Sequence, residues 1–195
     1  FALYGQNVSH PITTAWTGPV NASPSTLSQD GAVMATNFVP NPKPVSKGYG
    51  AFNYNNPSNG KPILSDTAQG MLIDGTALSD TNIGAIMSFS IPGPGDYHLH
   101  GRVRTQGSWN IDYAIAYFNY GNVRPSSLVD GVADVDFHVN STVTGALQLK
   151  CPAGSTAEWD NIGIYTASGW KAMQALGIDW FSGDSEFPPL VDAYA

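Results

Sequence analysis

Two histidines are the first residues whose type and spacing could do chemistry. His98 and His100 stand two apart in a run that alternates apolar and polar residues. On a β-strand both rings then project to one side, a geometry from which two imidazoles can hold one metal ion. A third ligand would have to come from His10 or His138. The plainer reading, and the one expected, is a pair of surface histidines on the wet face of a hairpin. Cys151 is the single cysteine, so neither an intrachain disulfide nor a cysteine-rich metal site can form within one chain. It reads as a small buried apolar residue at a strand end, before Pro152.

The carboxylates are no better arranged for catalysis. Glycoside hydrolysis needs two facing carboxyl groups, about 5 to 5.5 Å apart for retaining and about 6.5 to 9.5 Å for inverting chemistry. Glu158 and Glu186 are the only glutamates, while Asp130, Asp134 and Asp136 gather around Gly131, where turn and capping bonds account for aspartate. No Gly-x-Ser-x-Gly nucleophile turn and no phosphate-cradling glycine loop occurs. The chain is therefore expected to bind or to build rather than to catalyse.

Aromatic rings are the better lead, because sugars without charge are held by flat apolar faces and a few amides or hydroxyls that fix orientation. Between Gly48 and Gly60 lie Tyr49, Asn53, Tyr54 and Asn55, offering ring faces and paired donors and acceptors for a neutral or weakly anionic glycan. Trp109 is added as a further ring in a turn-rich stretch, whereas Tyr113 and Tyr117 are read as core.

The elements that must position these residues are strands. Charged residues make up only 12% of the 195-residue chain, against 21 Gly and 14 Pro, a composition that disfavours long helices and suits short strands joined by many turns. Strands are expected at Ala32–Val39, Met71–Asp74, Ile83–Ile91, Ala133–Val139, at 111–120, 142–150 and 161–165, and in a hairpin arm carrying Tyr97, Leu99, Gly101 and Val103. Pro92, Gly93, Pro94, Gly95 and Asp96 mark the turn of that hairpin. A single short helix is expected at 169–176, with Ser168 as N-cap and Gly177 ending it. The fold class is thus all-β: an antiparallel, jelly-roll-like sandwich at 31–178, with extended terminal arms at 1–30 and 179–195. A net charge of -7 and eight Lys plus Arg leave no basic stripe for nucleic acid, and no apolar run suits membrane insertion.

Four local patterns are familiar when read together: Asn37-Phe38-Val39-Pro40-Asn41-Pro42, Trp159-Asp160-Asn161-Ile162-Gly163-Ile164-Tyr165, Trp180-Phe181-Ser182-Gly183-Asp184, and Ala15-Trp16-Thr17-Gly18 followed by Asn21-Ala22-Ser23. Their company resembles the minor tail proteins of tailed phages that infect actinobacteria, which look like carriers of carbohydrate-binding-module-type β-sandwiches. In that family the Trp-Thr-Gly element follows the Phe-x-Gly-Asp element, whereas here it precedes the domain, as in one period of a tandem array. The resemblance also implies a structural calcium near a late aspartate. Asp160 matches, but Lys43, Pro44 and Val45 stand where an acidic partner would be, so no cofactor is expected.

The resemblance implies a virion protein of the tail surface, at the tip or fibre, that touches a host-surface glycan. Its expected partners are other virion proteins and further copies of itself in a homo-oligomer, trimeric if it belongs to a fibre. The alternatives are a carbohydrate-binding module of a secreted polysaccharide-degrading enzyme and a capsid or decoration jelly roll. Trp16 and Trp180, in turn-rich terminal segments, are expected to be covered by a neighbouring subunit.

Overall fold

The computed structural model describes residues 9–105, 116–118, 122, 123, 125, 128–141 and 143–191. Among them the chain runs through β1 (Ser9–His10), β2 (Ile12–Trp16), β3 (Ser25–Gln29), β4 (Ala32–Asn37), β5 (Gly50–Asn53), β6 (Ile63–Asp66), β7 (Met71–Asp74), β8 (Ile83–Ile91), β9 (Gly95–Thr105), β10 (Ala116–Phe118), β11 (Asn122–Val123), β12 (Val132–Val139), β13 (Val143–Cys151), β14 (Thr156–Thr166), α1 (Ala167–Ala175) and β15 (Leu190–Val191).

Two five-stranded antiparallel sheets, ordered β11-β10-β13-β8-β5 and β12-β9-β14-β7-β6, form the sandwich. From β7 to β10 successive strands alternate between the sheets, so β8 and β9 pair only with strands distant in sequence, while β7 and β10 each also pair with a sequence neighbour, β6 and β11. That wrapping is the jelly roll. Ile83, Ala85, Phe89 and Ile91 of β8 and Leu147 and Leu149 of β13 meet Met71, Ile73, Leu99, Val103, Trp159 and Ile164 of the other sheet in one core. The period-two pattern of β8 therefore reports its buried face, as expected for a strand with one face against a core. Cys151 lies in the same core, where burial pushes its thiol up to about 12, so it stays protonated at neutral pH.

The expected hairpin at 92–96 does not form. β8 pairs with β13 and β5, and β9 with β12 and β14, so the Pro-Gly turn carries the chain from one sheet to the other. Tyr97 anchors it, donating its hydroxyl proton to the carbonyl oxygens of Gly93 and Pro92. A turn signal reports a local reversal; which strand lies alongside is settled by long-range packing.

Within the described residues the terminal segments are not free arms. β2 and β3 join β4 in a three-stranded antiparallel sheet, and β1 pairs with β15. Ile12, Leu27 and Ala35 from this sheet pack with Tyr165, Met173, Ile178 and Phe181 in a second apolar cluster. The helix starts two residues earlier than expected because Thr166, not Ser168, is the N-cap, its hydroxyl accepting the Gly169 N–H at 3.1 Å. Its end is as expected: Gly177 has φ 69°, and the N–H groups of Gly177 and Ile178 return to the carbonyls of Gln174 and Met173, a Schellman cap.

One side chain ties the two clusters together. Asn37, fully buried at the end of β4, points its amide nitrogen at the carbonyls of Ile162 and Phe181, both at 3.1 Å, and at the Tyr165 hydroxyl at 3.3 Å. Its carbonyl oxygen accepts the N–H groups of Val39 and Ile164 at 3.2 and 3.3 Å. Beside it, the Trp16 ring lies so close over Gly183 that a Cβ there would sit 2.4 Å from the indole Cγ. The four familiar patterns of the sequence therefore meet in one joint. Replacing Asn37 with Ala leaves several buried backbone groups without partners, each worth about 1 to 3 kcal/mol. Denaturant unfolding of Asn37→Ala should show a loss of about 3 kcal/mol or more; a loss under about 1 kcal/mol would mean the joint is dispensable.

Candidate functional site

The outer face of the β12-β9-β14 sheet carries the polar residues, because the inner face is committed to the core. Along β9 that face presents His98, His100, Arg102 and Arg104 in turn, and the chain covers half of it. α1 lies over the two histidines and buries them, correcting the expectation of a wet hairpin face. The Trp170 ring stacks on His98 at 4.0 Å and 9°, and lies 5.5 Å from His100.

The third group beside the histidines is neither His10 nor His138, which pair with Asp30 and Asp96. It is Asp134. The register of β12 against β9 sets His100 opposite Asp134 and His98 opposite Asp136. Asp134 Oδ1 lies 2.7 Å from His100 Nδ1 and 3.2 Å from His98 Nε2, and Asp136 Oδ1 lies 2.7 Å from His98 Nδ1. Burial of Asp134 opposes its ionisation, yet its hydrogen bonds and charge interactions with the two histidines outweigh this and hold the carboxyl well below the usual range. Spacing on β9 could suggest that the two rings share a side, but only the strand pairing supplies Asp134.

The uncovered half of the face is a cleft. Arg102 and Arg104 form its floor with Asp160 and Asn161 of β14, and Trp180, Ser182, Asp184 and Ser185 form one wall. Lys43, Ala68 and Gln69 complete it, enclosing about 480 Å³. Asn161 reaches this site through a β-bulge. Between Asp160 and Gly163 the β14 register shifts, with Asn161 at φ 53°, and the extra residue reverses the alternation so that Ile162 and Ile164 turn into the core. Trp180 is oriented by donating its indole N–H to the Ile162 carbonyl at 3.0 Å. Arg102 Nε is buried and has no hydrogen-bond partner among the described residues.

The carboxylates here are engaged. Asp160 is 4% exposed and takes a hydrogen bond from Arg104. Burial raises its carboxyl above the usual value, against the pull of Arg104. A guanidinium already occupies the carboxylate assigned to calcium by resemblance, and that charge repels a cation. Glu158 accepts from the Thr67 hydroxyl at 2.6 Å and from Arg104 Nε at 3.1 Å.

The residues proposed for sugar contact are dispersed. Tyr49 is core: it is 7% exposed, donates to the Asn41 carbonyl, and burial raises its hydroxyl far above the usual value. Asn53 is also buried, holding its own loop by donating to the Gly60 carbonyl and Asp80. Neither offers a surface to a ligand. Tyr54 is 52% exposed and stacks on Phe52 at 4.6 Å, and Asn55 donates to the Thr81 hydroxyl. Trp109 lies outside the described residues. The cleft was missed because its lining comes from five separated segments; the paired Arg102 and Arg104 on a strand were its one visible signal.

The hydrogen bond from Thr67, helped by Arg104 and opposed by partial burial, lowers the Glu158 carboxyl below its usual value. A depressed folded value means stabilisation that is present above the ordinary glutamate range, about 4.3, and is lost as pH falls through the lower folded value. Thermal melts from pH 7 down to 3 should show Glu158→Gln less stable than the parent at neutral pH, with the gap closing in acid. A gap independent of pH would contradict this. Compared with known protein families and with curated proteins, the chain matches none.

Proposed function

We propose that this chain is a non-catalytic structural and binding part of a phage tail, a carbohydrate-binding-module-like sandwich that contacts a host-surface glycan. The family comes from the resemblance of the four motifs. The observation that carries the binding reading is the cleft, with a half-buried indole, amides at Gln69 and Asn161, and three cations, Lys43, Arg102 and Arg104, against two carboxylates, Asp160 and Asp184. Glu158 pairs with Arg104 and Asp179 lies 3.8 Å from Arg102 at the edge of the cleft, so an acidic substituent would bind by exchanging with one of these carboxylates on an exposed guanidinium. An aromatic wall with a few orienting polar groups suits a sugar ring, and the guanidinium fork of Arg102 suits a carboxylate or phosphate substituent. The site therefore moves from the Tyr49–Asn55 loop to the cleft.

Self-association and other virion proteins remain the proposed partners, with the tail surface as the location. The two tryptophans that suggested a subunit contact are used inside the chain, Trp16 against Gly183 and Trp180 on Ile162, so an oligomer would form through other surface.

Isothermal titration with acidic cell-wall glycan fragments tests the reading. Saturable binding without turnover is expected, weakened about 10-fold in Arg102→Gln, equivalent to about 1.4 kcal/mol, and unchanged in Tyr54→Ala. Weakening in Tyr54→Ala but not in Arg102→Gln would return the site to the loop. The absence of binding to any wall glycan, or of the parent protein from purified particles, would overturn the function.

A further inference from the structure

The covered half of the outer face carries a second site, independent of the cleft. We propose that His98 Nε2, His100 Nδ1 and Asp134 Oδ1 bind one divalent transition-metal ion of the zinc type, clamping β9 to β12 beneath Trp170.

The three side chains offer ligand atoms that all lie within 4.8 Å of one another. Bonds of about 2.0 to 2.1 Å around a tetrahedral ion place neighbouring ligand atoms about 3.3 Å apart. The observed separations from Asp134 Oδ1, 2.7 and 3.2 Å, need open by only tenths of an ångström to admit an ion. Two imidazoles and one carboxylate are a donor set that suits zinc and its neighbours rather than calcium or magnesium.

The surroundings also match what a metal ligand needs. A metal-bound imidazole usually hands its other nitrogen to a carboxylate, which fixes ring and tautomer; Asp136 does this for His98 at 2.7 Å. Stacking on Trp170 holds the same ring flat. His100 Nε2 meets no hydrogen-bond partner among the described residues, so the ring is oriented through Nδ1 alone, which faces Asp134 Oδ1 at 2.7 Å. Asp134 has a side chain 44% exposed, which gives an ion a way in and leaves its fourth position to water. A cavity of about 440 Å³, lined by Asp96, Tyr97, Asp136, Phe137, Ala167 and Trp170, opens beside the cluster.

Without a metal, His98 faces a carboxylate oxygen from each ring nitrogen. An imidazole nitrogen ligates a metal only without its proton, so acid competes with the ion for these ligand atoms and uptake weakens as pH falls.

The test is equilibrium dialysis of the full chain, stripped with a chelator, against zinc chloride. One zinc per chain and a raised melting temperature that the chelator reverses are expected. His138→Ala should bind as the parent does, Asp136→Asn should bind about 10- to 100-fold more weakly, and Asp134→Ala should lose stoichiometric uptake. Should Asp134→Ala fail to fold, histidine-ring NMR of the parent decides: zinc should shift His98 and His100 and leave His10 and His138 in place. No stoichiometric uptake, or shifts confined to His10 and His138, would overturn the proposal. Loss of zinc with glycan binding intact would separate this site from the cleft.

Discussion

The structure depends on the buried carboxamide of Asn37. A fully buried amide can remain only where its donors and its acceptor are satisfied, and Asn37 meets that condition by bonding to three separate stretches of chain at once: its own strand end, β14 through Ile162, Ile164 and the Tyr165 hydroxyl, and the segment after α1. Those bonds determine where the second cluster sits on the sandwich. They also set the backbone of Ile162, whose carbonyl accepts from the Trp180 indole as well, and so the wall of the cleft is positioned by the same joint.

From that joint the outer face of the sheet divides. On one side α1 is laid down by its Thr166 cap and its Met173 anchor, bringing Trp170 over His98 and His100 and burying both rings. On the other side the chain after Phe181 stands away from Arg102 and Arg104, leaving them to line a wet groove. Desolvation separates the two halves chemically. The histidines are held in fixed hydrogen-bonded geometry next to Asp134, while the pair of Arg102 with Asp179 is exposed on both sides, at 40% and 62%, where an ion pair contributes only about 0.2 to 1 kcal/mol and can exchange for a ligand.

Much of the fold was legible where burial imposes a period. Met71–Asp74 and Ile83–Ile91 are strands with the bounds read from their apolar pattern, and the glycine that ends α1 was visible because a positive φ selects it. Most pairing within the sandwich was not legible, since β8, β9, β13 and β14 find partners far away in the chain. The terminal segments looked like arms because Ile12, Leu27 and Phe181 are sparse in sequence; they form a core only when folded onto α1 and Tyr165. Tyr49 and Asn53 were misplaced because a loop rich in Gly and Asn gives no hint that its rings and amides turn inward. The histidine cluster needed Trp170, some seventy residues on, and the register of β12. In each case the missing information was a contact between distant segments.

The central claim, that the chain binds acidic glycan in the cleft between Arg102, Asn161 and Trp180, is tested most directly by NMR titration of the isotope-labelled chain with an acidic wall-glycan fragment. The account predicts saturable shifts concentrated at Gln69, Arg102, Asn161 and the Trp180 indole N–H, with Tyr54 and Asn55 unmoved. Shifts centred on Tyr54 and Asn55, with the cleft silent, would contradict it.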